Sequence, residues 1–348
     1  MGNAVTETKE ALESKLAEDL VGWKQVVARY TQPSIRKSVI QIFTSVVPLL
    51  AMYYIMYLSM SVSYWLTLAL ALPAAGLSIR TFIIMHDCGH GSFFPSRTWN
   101  DIVGFVTGVI TATPYAQWRR DHAIHHATSG DLEKRGTGDI TTLTVKEYLA
   151  LSRWGRFQYR MYRNPLILLV FGPIHLFIKH RIPTRISGVK SSDQWSVWLT
   201  NLALAALIVA FGMWIGFWKV LMLYAPVILI SGASGVFLFY VQHQFEDAYW
   251  DRKPKWEYPV AALYGSSYFK LPRVLQWFSG NIGLHHVHHL SPKIPNYALQ
   301  SCHDDNPQFQ QVVTLTLRDS WHTLALKLWD EEEKRMIGWR TLRERLKR

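Results

Sequence analysis

The stretch YWLTLALALPAAGLSIRTFIIMHDCGH, residues 64–90, decides the fold class. Tyr64 to Met85 is an apolar run close to the roughly 20 residues an α-helix needs to cross ~30 Å of hydrocarbon. Its one charge, Arg80, lies near the end, where a long side chain can reach back to the interface. The run passes directly into His86-Asp87-Cys88-Gly89-His90. Positions i and i+4 share one face of a helix, so His86 and His90 can aim at one metal ion. Cys88, at i+2, turns away from that face and is expected to pack.

Three more apolar runs have span length: Val39–Met60, Trp195–Phe217 and Val220–Val241. The intervening stretch 86–195 is charged, and its two apolar segments, Ile102–Tyr115 and Pro165–Ile178, are short and contain Gly and Pro. They read as interfacial or re-entrant helices. The short connections at Ser61–Ser63 and Trp218–Lys219 hold one basic residue between them, whereas the 86–195 loop carries Arg97, Arg119, Arg120, Lys134, Arg135, Arg153, Arg156, Arg160 and Arg163. By the positive-inside rule that loop and both termini are cytoplasmic. The expected fold is therefore all-α: an integral membrane protein with four transmembrane helices and a cytoplasmic, histidine-rich cap. Its expected parts are a polar N-terminal cytoplasmic or interfacial segment over 1–37, a membrane domain over 38–300 and a cytoplasmic tail over 301–348, helical from about Val312 to Arg348. The first 35 residues lack an apolar core of the kind a cleavable signal peptide carries.

Composition agrees. Fifteen Trp and sixteen Tyr suit a chain with much surface at membrane–water interfaces. The formal charge of +12, beside long apolar runs and without a nucleic-acid-binding motif, points to lipid and an acidic redox partner rather than nucleic acid. Two cysteines, Cys88 and Cys302, cannot build a disulfide framework, a zinc ribbon or an iron–sulfur cluster, so any metal is held by nitrogen or oxygen.

Two further histidine clusters follow: His122-Ala-Ile-His125-His126, and His285-His286-Val-His288-His289 after the fourth run. Positions i, i+3 and i+4 can form a three-nitrogen face, giving His122/His125/His126 and His285/His288/His289. Imidazole suits iron, copper, zinc or nickel. Eight aimed imidazoles exceed one tetrahedral zinc and fit two metals sharing the set. Asp87, Asp121, Glu246 and Asp247 flank the clusters and are candidates to orient ligating imidazoles. His175, His180, His303 and His322 belong to no cluster and read as structural or surface residues.

HDCGH, HAIHH and HHVHH strongly resemble the three histidine boxes of the membrane fatty-acid desaturase superfamily, whose relatives include alkane hydroxylases and carotenoid hydroxylases and ketolases. The resemblance covers about residues 38–300 in box order, spacing and span placement. HDCGHGSFF (86–94) and GNIGLHHVHHLSPKIPNY (280–297) look most like bacterial acyl-lipid desaturases. It implies two iron ions (Fe2+/Fe3+) on the box histidines, O2 as co-substrate and a ninth ligand at the end of the fourth span, a place occupied by His243. In the third box it selects His285, His288 and His289, leaving His286 as a hydrogen-bonding neighbour. The implied reaction is desaturation of a lipid-linked fatty acyl chain in a bacterial inner membrane. His285, where front-end enzymes carry Gln, and the HxxxH first box favour Δ12 (omega-6), with Δ9 or omega-3 next.

No haem, flavin or nicotinamide motif is visible, so electrons should come from a separate carrier such as a ferredoxin or small cytochrome, with Arg119 and Arg120 as a docking face. Trp118, Tyr115 and Phe269 are candidates to line an acyl tunnel. Hydroxylation or ketolation of alkanes or carotenoids is the alternative the boxes leave open. A membrane metal transporter fits less well, because the spans hold almost no ionisable residues.

Overall fold

The computed structural model describes residues 20–136, 138–184, 190–253 and 255–347. Most of the N-terminal segment read as interfacial lies outside these residues. Among the described residues four helices are long and apolar enough to cross a membrane: Ile35–Ser59, Tyr64–His90, Ser191–Ile215 and Phe217–His243, here spans 1 to 4. At 1.5 Å per residue the shortest is about 38 Å long, more than the hydrocarbon core requires. Within their apolar windows only 22%, 17% and 11% of spans 1, 3 and 4 are buried in protein. Leaving so much apolar surface in water would cost about 25 cal/mol per Å², so these faces need hydrocarbon as their solvent.

Two of the spans extend beyond their apolar runs, span 2 by five residues and span 4 by two, and those extensions carry the chemistry. Span 2 continues through the whole first box and stops at Gly91, whose φ of 63° is the left-handed conformation that ends a helix at little cost to glycine. Span 4 ends on His243. The second box lies on helix Tyr115–Thr128 and the third on the short helix His285–Leu290. The apolar segment Pro165–Lys179, 15 residues long, is too short to span by itself but passes the length and apolarity test together with Arg153–Tyr162. It is bent by 77° against Arg153–Tyr162, the arrangement of a broken span or re-entrant loop.

The C-terminal tail differs from the expected helix. Leu326–Asp330 and Arg335–Gly338 form an antiparallel hairpin, and Leu143–Thr144 adds to it in parallel; short helices Leu317–Thr323 and Trp339–Arg345 flank the hairpin. The cause is local. Asp330 Oδ1 accepts the N–H groups of Glu332 (3.0 Å) and Glu333 (3.2 Å), closing a turn. The acidic run 331–333 thus sits in a bend and not along a helix face. Leu328, Trp329, Met336 and Ile337 bury the strands against the cap.

Candidate metal centre

Nine imidazoles meet at one end of the four spans, in two groups. His86, His90, His122, His126 and His288 form one, and His125, His243, His285 and His289 the other; within each group the candidate ligand atoms all lie within 4.8 Å of one another. The three-nitrogen faces expected for the second and third boxes do not form. Successive residues on a helix are about 100° apart, so His125 and His126 face different sides, as do His288 and His289. Each HxxHH box gives its i/i+4 pair to one group and its i+3 member to the other.

The nitrogens are poised for cations. His125 Nδ1 donates to Asp139, and His243 Nδ1 donates to the carbonyl of Gly265 at 3.1 Å. A neutral imidazole has one N–H, so both Nε2 atoms carry lone pairs, yet they stand 3.2 Å apart. His285 Nε2 lies 2.9 Å from His243 Nε2, and His289 Nε2 lies 3.2 Å from His125 Nε2. In the five-histidine group His122 Nε2 and His126 Nε2 are 3.1 Å apart. Two nitrogens at right angles on a metal with bonds of about 2.1 Å sit about 3.0 Å apart, so these separations fit a shared cation and not mutual repulsion. His90 Nε2 and His288 Nε2 are buried without a hydrogen-bond partner, as vacant donors to a metal would be. Burial, and then neighbouring imidazoles, push His122, His126, His285, His288 and His289 well below the usual histidine range, keeping them neutral. The residues present fit metal ions in both groups.

The sequence model of the family described as fatty acid desaturase matches residues 63–319. The chain belongs to the fatty acid desaturase family. A fatty acid desaturase of Bacillus subtilis (strain 168) is 48% identical over 319 residues, covering 91% of this chain and 90% of that protein. An sn-1 oleoyl-lipid 12-desaturase of Anabaena variabilis is 23% identical with 91% of each chain covered. An sn-1 acyl-lipid omega-3 desaturase (ferredoxin) of Nostoc sp. (strain 36) is 24% identical over 79% of this chain and 76% of its own.

In this desaturase the flanking acids divide sharply. Asp87 accepts from His86 Nδ1 at 3.0 Å through one oxygen. Its other oxygen accepts from the backbone N–H (2.7 Å) and side-chain amide (2.8 Å) of Asn296. It thereby ties the first box to the segment after the third. Asp121 is bound instead to Arg120, and Glu246 to Arg335; Asp247 is exposed. The acid that sequence reasoning missed is Asp139, thirteen positions beyond the second box. Gly138 beside it has φ 75°, and a Cβ there would come within 2.9 Å of the His125 Cβ. A lone Gly-Asp pair in a loop carries no spacing signal.

His286 points away from both groups and lies 3.0 Å from His303 Nδ1 through its Nε2, so two of the remaining histidines form a buried structural pair. Trp118 stacks on His122 at 4.4 Å between ring centres and covers the five-histidine group. Tyr115 is a strut, its hydroxyl donating to the Cys88 carbonyl at 2.9 Å. Phe269 is buried beside Phe237, 6.3 Å between ring centres. Arg119 and Arg120 are each engaged within the chain: Arg119 pairs with Asp101 at 2.6 Å, and Arg120 with Asp121 (2.7 Å) and Asp193 (3.4 Å).

Proposed function

We propose that the chain desaturates a lipid-linked fatty acyl chain at two iron ions, one held by each histidine group. The single observation that carries this is the convergence of nine imidazoles into two groups whose facing ring nitrogens stand at metal-sharing separations. His86, His90, His122, His126 and His288 would hold one iron, and His125, His243, His285 and His289 the other. When bound, iron supplies O2 activation and the one-electron steps needed to break an unactivated C–H bond, which no side chain can do alone. Overall, two hydrogens leave adjacent methylenes, two external electrons and two protons enter, and O2 becomes two waters.

The protein's own part is placement. Asp87, Asp139 and the Gly265 carbonyl fix the Nδ1 protons of His86, His125 and His243, so that each Nε2 keeps its lone pair. Trp118 and Phe239, whose rings lie 4.4 Å from His122 and 4.9 Å from His243, exclude water from the two groups. Relatives named as 12-desaturases and as omega-3 desaturases match at similar identity. They support a lipid-linked substrate more than any one bond position, and Δ12 is the reading a product assay tests. By the distribution of basic residues the histidine end faces the cytoplasm of a bacterial inner membrane, where a ferredoxin or small cytochrome would deliver electrons.

The test is fatty-acid methyl-ester analysis of a host supplying saturated and monounsaturated chains, with an electron donor co-expressed and His125→Ala as control. A new alkene absent from the variant is expected, and its position reports Δ12 or otherwise. A product heavier by one oxygen would replace this reading with hydroxylation.

A further inference from the structure

Arg163, at the bend between Arg153–Tyr162 and Pro165–Lys179, is fully buried, and no carboxylate among the described residues pairs with it. A buried charge without a counter-ion is costly, and proteins keep one only where hydrogen bonds hold it. Arg163 uses neutral oxygens alone. One terminal nitrogen donates to the Thr141 carbonyl (3.2 Å) and the Thr142 hydroxyl (3.1 Å). The other donates to the Tyr240 hydroxyl (3.1 Å), Gln244 Oε1 (2.7 Å) and the Leu326 carbonyl (3.2 Å). Lys327, also buried, donates to the carbonyl of Arg163 itself at 2.7 Å. Burial lowers the Lys327 ammonium to about 7, so Arg163 is the lasting charge of the pair.

The acceptors come from three places that bear on one histidine group. Tyr240 and Gln244 bracket His243, the last residue of span 4. Thr141 and Thr142 lie just after Asp139, the acid bound to His125. Leu326 opens the C-terminal hairpin. Thr142 Oγ1 also donates to Gln244 Oε1 at 3.1 Å, so the span end and the Asp139 loop meet directly under the guanidinium. His125 and His243 both belong to the four-histidine group, and none of the Arg163 acceptors borders a member of the five-histidine group.

We infer that Arg163 is a positioning residue that holds His243 and the Asp139–His125 pair in register, so that the four-histidine group keeps its metal while the five-histidine group does not depend on it. This rests on the reading of both groups as metal sites.

The experiment measures iron per chain by elemental analysis of full-length protein purified in detergent, beside size-exclusion and circular-dichroism checks of folding. Wild type is expected to carry two irons per chain; any other value overturns the two-site reading before a variant is compared. Arg163→Met should fall about two-fold, to one iron, while remaining folded and monodisperse. A His125→Ala/Arg163→Met double variant should lose no more than His125→Ala alone, whereas His90→Ala/Arg163→Met should lose more than either. A merely structural role would lower iron at both groups or at neither. Two irons retained in folded Arg163→Met overturn the inference. Should that variant fail to fold, Tyr240→Phe and Arg163→Lys, each removing part of the network, decide it: ratios between one and two support the inference, and a full two overturns it.

Discussion

The five-histidine group takes two complete i/i+4 pairs, His86/His90 and His122/His126, and adds His288. The four-histidine group takes one pair, His285/His289, and completes itself with His125 and His243. The first is largely a product of local helix spacing, and two of its members, His90 and His122, are only half-buried. The second is wholly buried and relies on distant partners: Asp139 for His125, the Gly265 carbonyl for His243, and Arg163 behind both. Identical side chains thus make one centre robust and the other dependent on the loops around it.

The largest effects should come from single ligand removals, and they should separate the groups. His243→Ala leaves three imidazoles where four stood, whereas His90→Ala leaves four of five. Both should abolish desaturation, by more than roughly 100-fold, since even residues one step removed from a metal cost 10–100-fold. Titration of the purified variants with ferrous iron should show His243→Ala losing an ion outright and His90→Ala keeping two, with only the ion of the five-histidine group bound more weakly. Equal losses would break the comparison.

Next come the two orienting acids. Asp139→Asn should lower desaturation by roughly 10–100-fold with little change in the unfolding midpoint. Asp87→Asn should do the same and also destabilise the cap by about 1–3 kcal/mol, because the N–H groups of Asn296 lose an ionised acceptor. Thermal unfolding alongside product analysis separates the two.

Gly138→Ala should be milder. A non-glycine residue at φ 75° costs about 1–2 kcal/mol, and the new methyl would press on His125. Lower thermal stability with reduced iron at the four-histidine group is expected. The smallest effect belongs to Glu246→Ala. Despite its place three residues after His243, this exposed side chain pairs with Arg335 at the surface, 2.9 Å away. Stability should stay within ~0.5 kcal/mol and activity should be unchanged.

Much of this was legible in the sequence because the deciding signals are local. Apolar length marked the spans, and i/i+4 spacing marked His86/His90 and His122/His126. What was not legible depends on contacts between distant segments. The splitting of His125 from His126 follows from where the second box helix lies between the two groups. Asp139 is identified only by the loop that folds back on His125. Glu331 to Glu333 looked like a charged helix face until Asp330 closed a turn over them. Arg163 counted in the sequence as one more basic loop residue and is among the most buried side chains in the protein.

The central claim is that the nine imidazoles make two separate metal sites. Iron-57 Mössbauer spectroscopy of the purified full-length chain, reconstituted with ferrous iron, tests it most directly. Two irons per chain, with one depleted selectively by His243→Ala, is the result expected. A single iron drawing on both groups, or uniform loss in that variant, would contradict it.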